Sequence, residues 1–168
     1  MNADFSDKVS LAQQGDATAF SELYALVYKD LYYVAYYSLK NTYDAQDVVS
    51  DTVLDAYASI GKLKDEKAFK AWIMKILSAK IKRKLKEYVQ SRIVFTYEFE
   101  QEELNYDGID LKQEFNRLSD EERLVLSMSV VSGYTSEEIS KITGINANTV
   151  RSKLLRAKDK LRDRLTSV

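Results

Sequence analysis

Apolar residues in the first half of the chain recur at the spacing of amphipathic helices. One stripe spans 20–39, with apolar side chains three or four positions apart, and a second spans 49–60; each predicts a helix with one buried face. We expect Asp44 to cap the second helix and Gly61 to end it. A third stripe, over 69–88, has lysines on its outer side. The pattern therefore predicts three consecutive helices that share one core.

The second half of the chain carries clear signals for where helices begin and end. Two capping boxes, in which a Ser or Thr and a Glu three residues later bond to each other's backbone, mark helix starts; they are Ser119 with Glu122 and Thr135 with Glu138. Gly133 and Gly144 are placed to end the first two helices, and Asn146 to cap the last. Helix-turn-helix modules use this order of elements to place one helix in the major groove of DNA.

The composition narrows the range of functions. The 168 residues include no proline, histidine or cysteine. A chain without proline favours an all-α fold, and one without histidine and cysteine lacks the usual zinc ligands, nucleophile-activating bases and thiols. We therefore expect no enzyme activity, no catalytic or metal site, no cofactor and no small-molecule substrate. We also expect a cytoplasmic protein, because no apolar run is long enough to span a membrane and the first residues lack the features of a signal peptide.

The net charge of −1 conceals blocks of opposite sign. Residues 1–60 carry a net charge of −6, residues 61–92 of +8, residues 93–122 of −8 and residues 123–168 of +5. The two basic blocks indicate a protein that binds a polyanion, such as a nucleic acid, at two separate surfaces. They are equally compatible with two well-solvated lysine-rich helix faces.

Acidic residues form a row on the second predicted helix. Asp44, Asp47, Asp51 and Asp55 are spaced three or four positions apart, so they share one exposed face. Such a row is either a solvated face or a docking strip for a basic partner.

The helical pattern stops near residue 89. The segment 97–108 is acidic and irregular, as is typical of a linker. This segment and the residues just before it contain four aromatic residues, Phe95, Tyr97, Phe99 and Tyr106. These fit a segment that docks on a partner as well as a passive tether.

The exposed side of the last predicted helix carries side chains suited to reading DNA bases. Arginine pairs with the two acceptors of guanine, asparagine pairs with adenine, and an exposed leucine can contact a thymine methyl group. Later basic residues, including Lys158 and Lys160, suit phosphates. The DNA-binding candidates are Asn148, Arg151, Ser152, Lys153, Leu155 and Arg156. The plainer interpretation is a basic terminal helix with no partner.

The loop after Gly61 and the helix that follows it form a second basic surface. Bases extruded from a duplex stack on aromatic rings while lysines follow the backbone. Trp72 at helical spacing is equally typical of a packed core, which favours the loop lysines for base capture. The candidates are Lys62, Lys64, Lys67, Lys70, Trp72, Lys75, Lys82 and Arg83.

Several motifs resemble those of bacterial sigma factors, in particular the short extracytoplasmic-function (ECF) group. The segments 15–20 (GDATAF), 44–52 (DAQDVVSDT) and 69–73 (FKAWI) are similar to parts of the sigma-2 domain, and 133–139 (GYTSEEI) and 149–154 (TVRSKL) are similar to the sigma-4 signature. Three departures from the family pattern are Ser119 in place of a proline and Ala79 and Arg83 in place of an asparagine and an aspartate.

The resemblance implies a sigma-2 domain over 1–90, a flexible acidic linker over 91–112 and a sigma-4 helix-turn-helix domain over 113–168. The sigma-2 domain would be a bundle of three to four helices that binds core RNA polymerase and recognises and melts the minus-10 element through the second basic surface. The last helix would read the minus-35 element. Residues implied to contact the polymerase are Asp47, Val48, Ser50, Asp51, Val53 and Asp55.

The resemblance also implies partners and regulation. The partners would be core RNA polymerase, double-stranded promoter DNA and the melted minus-10 strand, and a membrane-bound or soluble anti-sigma factor would hold the protein inactive. The alternative is a stand-alone helix-turn-helix regulator, which would bind DNA without the polymerase. An enzyme that holds magnesium on the aspartate row is a third interpretation, which lacks a second group of converging ligands.

Overall fold

The computed structural model describes residues 5–91 and 111–166, which fold into eight α-helices. The helices are α1 Ser6–Gln13, α2 Ala17–Leu39, α3 Thr42–Ser59, α4 Phe69–Ser91, α5 Leu111–Asn116, α6 Asp120–Ser132, α7 Ser136–Thr143 and α8 Ala147–Thr166. Two short 3-10 turns, Ile60–Lys62 and Glu66–Ala68, connect α3 to α4. The all-α prediction is confirmed. The predicted linker over 91–112, with its aromatic residues, lies almost wholly outside the described residues.

Helices α1 to α4 pack together as a bundle. The carboxylate of Asp16 accepts a hydrogen bond from the backbone N–H of Ala19 at 3.1 Å and so caps α2. The cap of α3 is Asn41, whose side chain accepts from the N–H of Asp44 at 2.9 Å. The prediction that Asp44 caps this helix was wrong, because Asp44 lies in the first turn, where its charge favours the helix N-terminus.

The core of the bundle is formed by the predicted apolar stripes of α2, α3 and α4. Its largest fully buried side chains are Leu23, Leu31, Leu39, Phe69, Ile73, Met74, Leu77 and Ile81. Helix α1, which the stripes do not predict, covers one end of the bundle. The side-chain amide of Gln13 donates to the carbonyl oxygens of Ile60 at 3.0 Å and Leu63 at 2.8 Å, so α1 holds the loop between α3 and α4.

Helices α6, α7 and α8 form the helix-turn-helix region, with the boundaries that the sequence predicts. Both capping boxes are present, at the starts of α6 and α7. Gly133 and Gly144 follow these helices with φ of 69° and 77°, the left-handed conformation that a residue without a Cβ adopts most readily. The side chain of Asn146 accepts from the N–H of Asn148 at 2.9 Å at the start of α8.

The two regions pack against each other. Helix α6 lies on α2, and α7 lies on α4. The rings of Tyr37 in α2 and Phe115 in α5 have centroids 5.0 Å apart, and the buried apolar residues of both regions form a continuous cluster. No helix among the described residues is long and apolar enough to cross a lipid bilayer.

Candidate nucleic-acid and polymerase interfaces

The aspartate row lies on the exposed side of α3, and α4 neutralises both of its ends. Asp55 forms an ion pair with Lys80 of α4 at 2.7 Å. Asp44 accepts a hydrogen bond from the hydroxyl of Tyr88 and has the amine of Lys84 at 3.7 Å. Within the described part of the chain, the two central carboxylates, Asp47 and Asp51, form no ion pair. The middle of the row is therefore an exposed anionic surface.

An exposed leucine lies on this same surface. Leu54 is 67% exposed and lies three residues after Asp51 and seven after Asp47, on one side of α3. Leu54 is absent from the contact residues expected from the sequence, although its position off the buried stripe was a usable signal. We define the acidic face as Asp47, Ser50, Asp51 and Leu54.

Two valines expected to contact the polymerase occupy other positions. Val48 is only 4% exposed and belongs to the bundle core, so its side chain does not reach the acidic face. Val48 lies one position after Asp47, on the inner side of α3, and its contact with the polymerase stays a prediction. Val53 is half-buried against the core.

The loop between α3 and α4 presents three lysines to solvent. The carboxylate of Asp65 accepts from the N–H of Lys67 at 3.0 Å and caps the second 3-10 turn, while buried Leu63 anchors the loop below. Lys62, Lys64 and Lys67, here called the loop lysines, are all exposed. None of them forms an ion pair with a described residue. The loop thus presents three lysine side chains without an ion-pair partner among the described residues, alongside the carboxylates of Asp65 and Glu66.

Helix α4 carries an exposed stripe beside this loop, formed by Lys75, Ala79, Lys82, Arg83 and Lys86. The amine of Lys82 donates to the carbonyl oxygen of Thr143 at the end of α7. Lys75, Arg83 and Lys86 have no carboxylate partner among the described residues. We call this set the outer stripe.

Lys70 and Trp72 lie at the start of α4 and differ from the outer stripe. The amine of Lys70 pairs with Asp30 of α2 at 2.9 Å and also lies 5.9 Å from the centre of the Tyr134 ring. Trp72 is half-buried, with its ring 6.0 Å from that of Phe69. Both side chains therefore have partners within the fold, whereas the side chains of the loop lysines form no ion pair with a described residue.

On α8, the guanidinium of Arg151 is fixed by two neighbours. Asn148 accepts a hydrogen bond from it at 2.7 Å, and Glu137, near the start of α7, forms an ion pair with it. The hydrogen bond and charge of Arg151 lower the pKa of Glu137. Glu137 could not be identified from the sequence, because its contact with Arg151 joins two helices.

The remaining candidates on α8 fall into two groups. Leu155 is 61% exposed and Arg156 is exposed, so both are available to a partner. Lys153 is largely covered and pairs with Glu121 of α6 at 3.0 Å, while the hydroxyl of Ser152 donates to the carbonyl oxygen of Thr149 at 3.0 Å.

Lys160, which the sequence suggested for phosphate contact, has a different partner in the fold. Its amine binds both carboxylate oxygens of buried Glu122, at 2.9 and 3.1 Å. Burial acts to raise the pKa of Glu122, but hydrogen bonds from Lys160 and the Ser119 backbone, with the charges of Lys160 and Lys153, lower it overall. Lys160 thus joins α8 to the capping box of α6.

An array of aromatic side chains runs along α2 and was not noted in the sequence. The rings of Tyr28, Tyr32 and Tyr36 stack in series, with centroids 6.1 and 6.0 Å apart. Tyr33 stacks on Tyr37, which contacts α5. These ring contacts line the surface of α2 that leads to the second region.

No group of three or more metal-ligating side chains comes together anywhere in residues 5–91 or 111–166. What the structure does assemble is an acidic helix face, a cationic loop with its neighbouring stripe, and a helix-turn-helix with exposed arginines. This combination is typical of a transcription protein. It contains a helix-turn-helix for DNA and a further helical region that can contact other partners.

Comparison with protein families identifies both regions. Residues 23–90 match the model of Sigma-70 region 2, and residues 109–161 match that of Sigma-70, region 4. The chain is 30% identical over 142 residues to RNA polymerase sigma factor SigV of Bacillus subtilis, covering 82% of this chain and 86% of that protein. The chain belongs to the sigma-70 family, in its ECF group, and is a sigma factor for promoter-specific initiation by RNA polymerase.

Other relatives agree with this assignment. ECF RNA polymerase sigma factor SigW of Bacillus subtilis is 22% identical, with 94% of this chain and 95% of that protein covered. Sigma factor RpoE of Bartonella quintana, solved with the anti-sigma factor NepR, superposes with a TM-score of 0.73 at 26% identity, over 88% of this chain and 96% of that chain. CnrH, solved with the cytosolic domain of CnrY, has a TM-score of 0.71 at 20% identity over 98% of both chains and shares the fold.

Proposed function

We propose that the three surfaces divide the work of a sigma factor. The acidic face of α3 binds core RNA polymerase, the loop lysines and outer stripe bind the minus-10 region, and α8 reads the minus-35 element. The observation that carries this proposal is the distribution of unpaired charge. Cations that form no ion pair with a described residue line the loop and α4. Carboxylates that likewise have no ion-pair partner among the described residues lie on α3.

Binding to the polymerase is assigned to Asp47, Ser50, Asp51 and Leu54, with Asp55 at the margin. An exposed leucine between carboxylates gives a partner both apolar area and charge, and such a mixture is typical of specific interfaces. Because Asp55 already pairs with Lys80, it contributes less to a basic partner than Asp51 does.

Binding to the minus-10 region is assigned first to the loop lysines, Lys75 and Arg83. Their amines and guanidinium are exposed and form no ion pair with a carboxylate of the described residues. Phosphate contacts of this kind supply affinity that depends on salt. Trp72 contributes a half-buried ring next to the loop. Lys70 and Lys82 bind the DNA after they give up their present contacts within the fold.

Reading of the minus-35 element is assigned to Asn148, Arg151, Leu155 and Arg156. Arginine forks recognise guanine through two acceptors, and Leu155 offers a methyl contact to thymine. Ser152 and Lys153 lie at the margin of this surface, where Lys153 is held by Glu121. We propose that they position the helix on the phosphate backbone.

We further propose regulation by an anti-sigma factor. RpoE of Bartonella quintana and CnrH were each solved with a protein partner, the anti-sigma factor NepR and the cytosolic domain of CnrY, and this chain shares their two-region fold. The protein would act in the cytoplasm as a non-enzymatic subunit. A stand-alone regulator is not favoured, since residues 23–90 match a sigma-specific region.

Charge reversal on the acidic face tests the assignment to the polymerase. Asp51→Lys should weaken the equilibrium binding of core RNA polymerase by tenfold or more, because it replaces an attraction across the interface by a repulsion. A tenfold change corresponds to about 1.4 kcal/mol of binding free energy. Glu87→Lys makes the same charge change at an exposed position on α4 and serves as the control. If the two variants bound core RNA polymerase with equal affinity, the assignment of α3 to the interface would be wrong.

A further inference from the structure

The loop between α3 and α4 contains two 3-10 turns that are supported differently. The second turn has a cap of its own, because the carboxylate of Asp65 accepts from the N–H of Lys67 at 3.0 Å. Ser59, which precedes the first turn, does not cap it with its side chain. The first turn is closed by the hydrogen bond from the N–H of Leu63 to the carbonyl oxygen of Ile60 at 3.1 Å. Because 3-10 hydrogen bonds have poorer geometry than those of an α-helix, this turn gains from support elsewhere in the fold.

Gln13, the last residue of α1, supplies this support. Its half-buried side-chain amide donates to the carbonyl oxygen of Ile60 at 3.0 Å and to that of Leu63 at 2.8 Å. Ile60 is the first residue of the turn, and Leu63 directly follows it. One side chain therefore clamps both ends of the first turn. Lys62 and Lys64 flank Leu63, so the clamp also fixes the backbone that carries two of the three loop lysines.

Helix α1 is itself held by the bundle. Val9 and Ala12 are buried in its core. The ring of Phe5, which precedes α1, lies 6.0 Å from that of buried Phe69 at the start of α4, and the ring of Phe69 lies 6.0 Å from that of Trp72. Helix α1 thus contacts the loop at one end and the start of α4 at the other, on both sides of the loop lysines.

The residue type at position 13 suits positioning better than simple filling of space. A side-chain amide has two N–H donors, and both loop carbonyls accept from the amide nitrogen of Gln13. An apolar side chain would fill the same volume without orienting these carbonyls. A loop that is held in place before it binds a ligand loses less conformational entropy on binding.

We propose that Gln13 is a positioning residue for the binding of the minus-10 strand. It holds the first half of the loop, and with it Lys62 and Lys64, in the conformation that binds DNA. Lys67 lies in the second half, which has its own cap, and does not depend on Gln13. The effect on DNA rests on the proposed assignment of the loop lysines to the minus-10 region, whereas the clamping of the loop does not. The two parts therefore need separate readouts.

Clamping is measured by amide hydrogen exchange in the isolated chain. Gln13→Met keeps the length of the side chain and removes both donors. Exchange at the N–H of Leu63 should become roughly three- to tenfold faster, as the loss of about one net hydrogen bond predicts. Exchange at Lys67 should stay the same. Gln14→Met makes the same substitution at the exposed neighbour and should change neither rate. Unchanged exchange at Leu63 in Gln13→Met would overturn the proposal.

Positioning is measured in the complete holoenzyme with a labelled minus-10 single strand. Gln13→Met should weaken strand binding by roughly three- to tenfold and leave the affinity for core polymerase and the melting temperature unchanged. Gln14→Met should again behave as the parent. If strand binding were unchanged although exchange at Leu63 had accelerated, the positioning role would be wrong. A parallel fall in strand binding, core affinity and melting temperature would mean general destabilisation and would also overturn it.

Double variants show which lysines Gln13 acts through. The combined loss of strand binding in Gln13→Met with Lys64→Ala should be smaller than the product of the two single losses, by about twofold or more. With Lys67→Ala the losses should multiply. Multiplication in both pairs would overturn the positioning role. The proposed function fails in a different way: if Lys64→Ala and Lys67→Ala both bound the strand as tightly as the parent, the assignment of the loop to DNA would be wrong, while faster exchange at Leu63 would still show the clamp.

Discussion

The carboxylate of Glu137 in α7 forms an ion pair with the guanidinium of Arg151 in α8. Asn148 accepts a second hydrogen bond from the same guanidinium at 2.7 Å. The fork of Arg151 is therefore held in one orientation before DNA is present, which lowers the conformational entropy lost on binding. We propose that Glu137 positions Arg151 for reading of the minus-35 element.

Substitutions at this pair should separate reading from positioning. Arg151→Ala in the holoenzyme should cost about 1–3 kcal/mol at the preferred minus-35 site and relax the preference for its base. Glu137→Gln should leave the melting temperature unchanged, because the pair is exposed and exposed pairs contribute little to stability, yet reduce discrimination between preferred and altered sites. Binding titrations on a set of single-base variants measure both. Equal losses on every sequence for Arg151→Ala would exclude base reading.

Two lysines on α8 should respond differently to truncation. Lys160→Ala removes the partner of buried Glu122 and should lower the free energy of unfolding by about 1–2 kcal/mol. Lys158→Ala removes an exposed amine with no described partner, so it should weaken DNA binding and leave stability unchanged. Urea denaturation and DNA titration of both variants decide the matter. If Lys160→Ala were as stable as the parent but bound all DNA sequences more weakly, Lys160 would be a phosphate contact and the prediction would be wrong.

The stability of the second region should depend on pH through Glu122. Burial acts to raise its pKa, but Lys160 and the backbone of Ser119 lower it overall. A carboxyl whose folded pKa lies below its unfolded value of about 4.3 contributes stability above that pH and loses it as the pH falls through the folded pKa. Glu122→Gln should therefore be less stable than the parent at neutral pH, with the difference shrinking under acid.

The comparison is made by chemical denaturation across this pH range, with Glu121→Gln as the control. Glu121 pairs with Lys153 but is itself largely exposed, so its substitution should have a small effect at every pH. A constant difference between Glu122→Gln and the parent from neutral to acid pH would contradict the role given to this ion pair.

Two exposed leucines offer a test of the polymerase interface that does not involve charge. Leu54 lies on the acidic face, whereas Leu26 is 55% exposed on α2. Leu54→Ala should weaken binding to core polymerase by about 1–2 kcal/mol, since an interface would bury this side chain. Leu26→Ala should leave the affinity unchanged. Competition binding against the unmodified chain measures the affinity of both variants for core polymerase. A larger loss of affinity for Leu26→Ala than for Leu54→Ala would contradict the assignment to α3 and indicate an interface on α2.

Local signals in the sequence were sufficient for most helix boundaries of the second region. The capping boxes at Ser119 and Thr135 form as predicted, because each depends only on residues three apart and on the backbone between them. The prediction of the capping residue of α3 was wrong, because the local sequence offers two candidates. Asn41 and Asp44 are both good capping residues, and only the path of the chain out of α2 decides between them.

The partners of charged side chains could not be predicted in the same way. Lys80, Lys82 and Lys160 look alike in sequence, yet they bind Asp55, Thr143 and Glu122 respectively. These contacts join residues far apart in the chain, so they depend on how whole helices pack. The sequence could therefore indicate basic surfaces but not which of their cations are already occupied.

The most direct test of the account is to map transcript 5′ ends on genomic DNA with core RNA polymerase, with and without this chain. A sigma factor that reads two promoter elements predicts new start sites that share sequences at both elements, and Arg151→Ala should lose or redistribute them. New starts that appear only with the chain, and change with Arg151, would support the account. No new starts, despite a folded chain and active core polymerase, would contradict it.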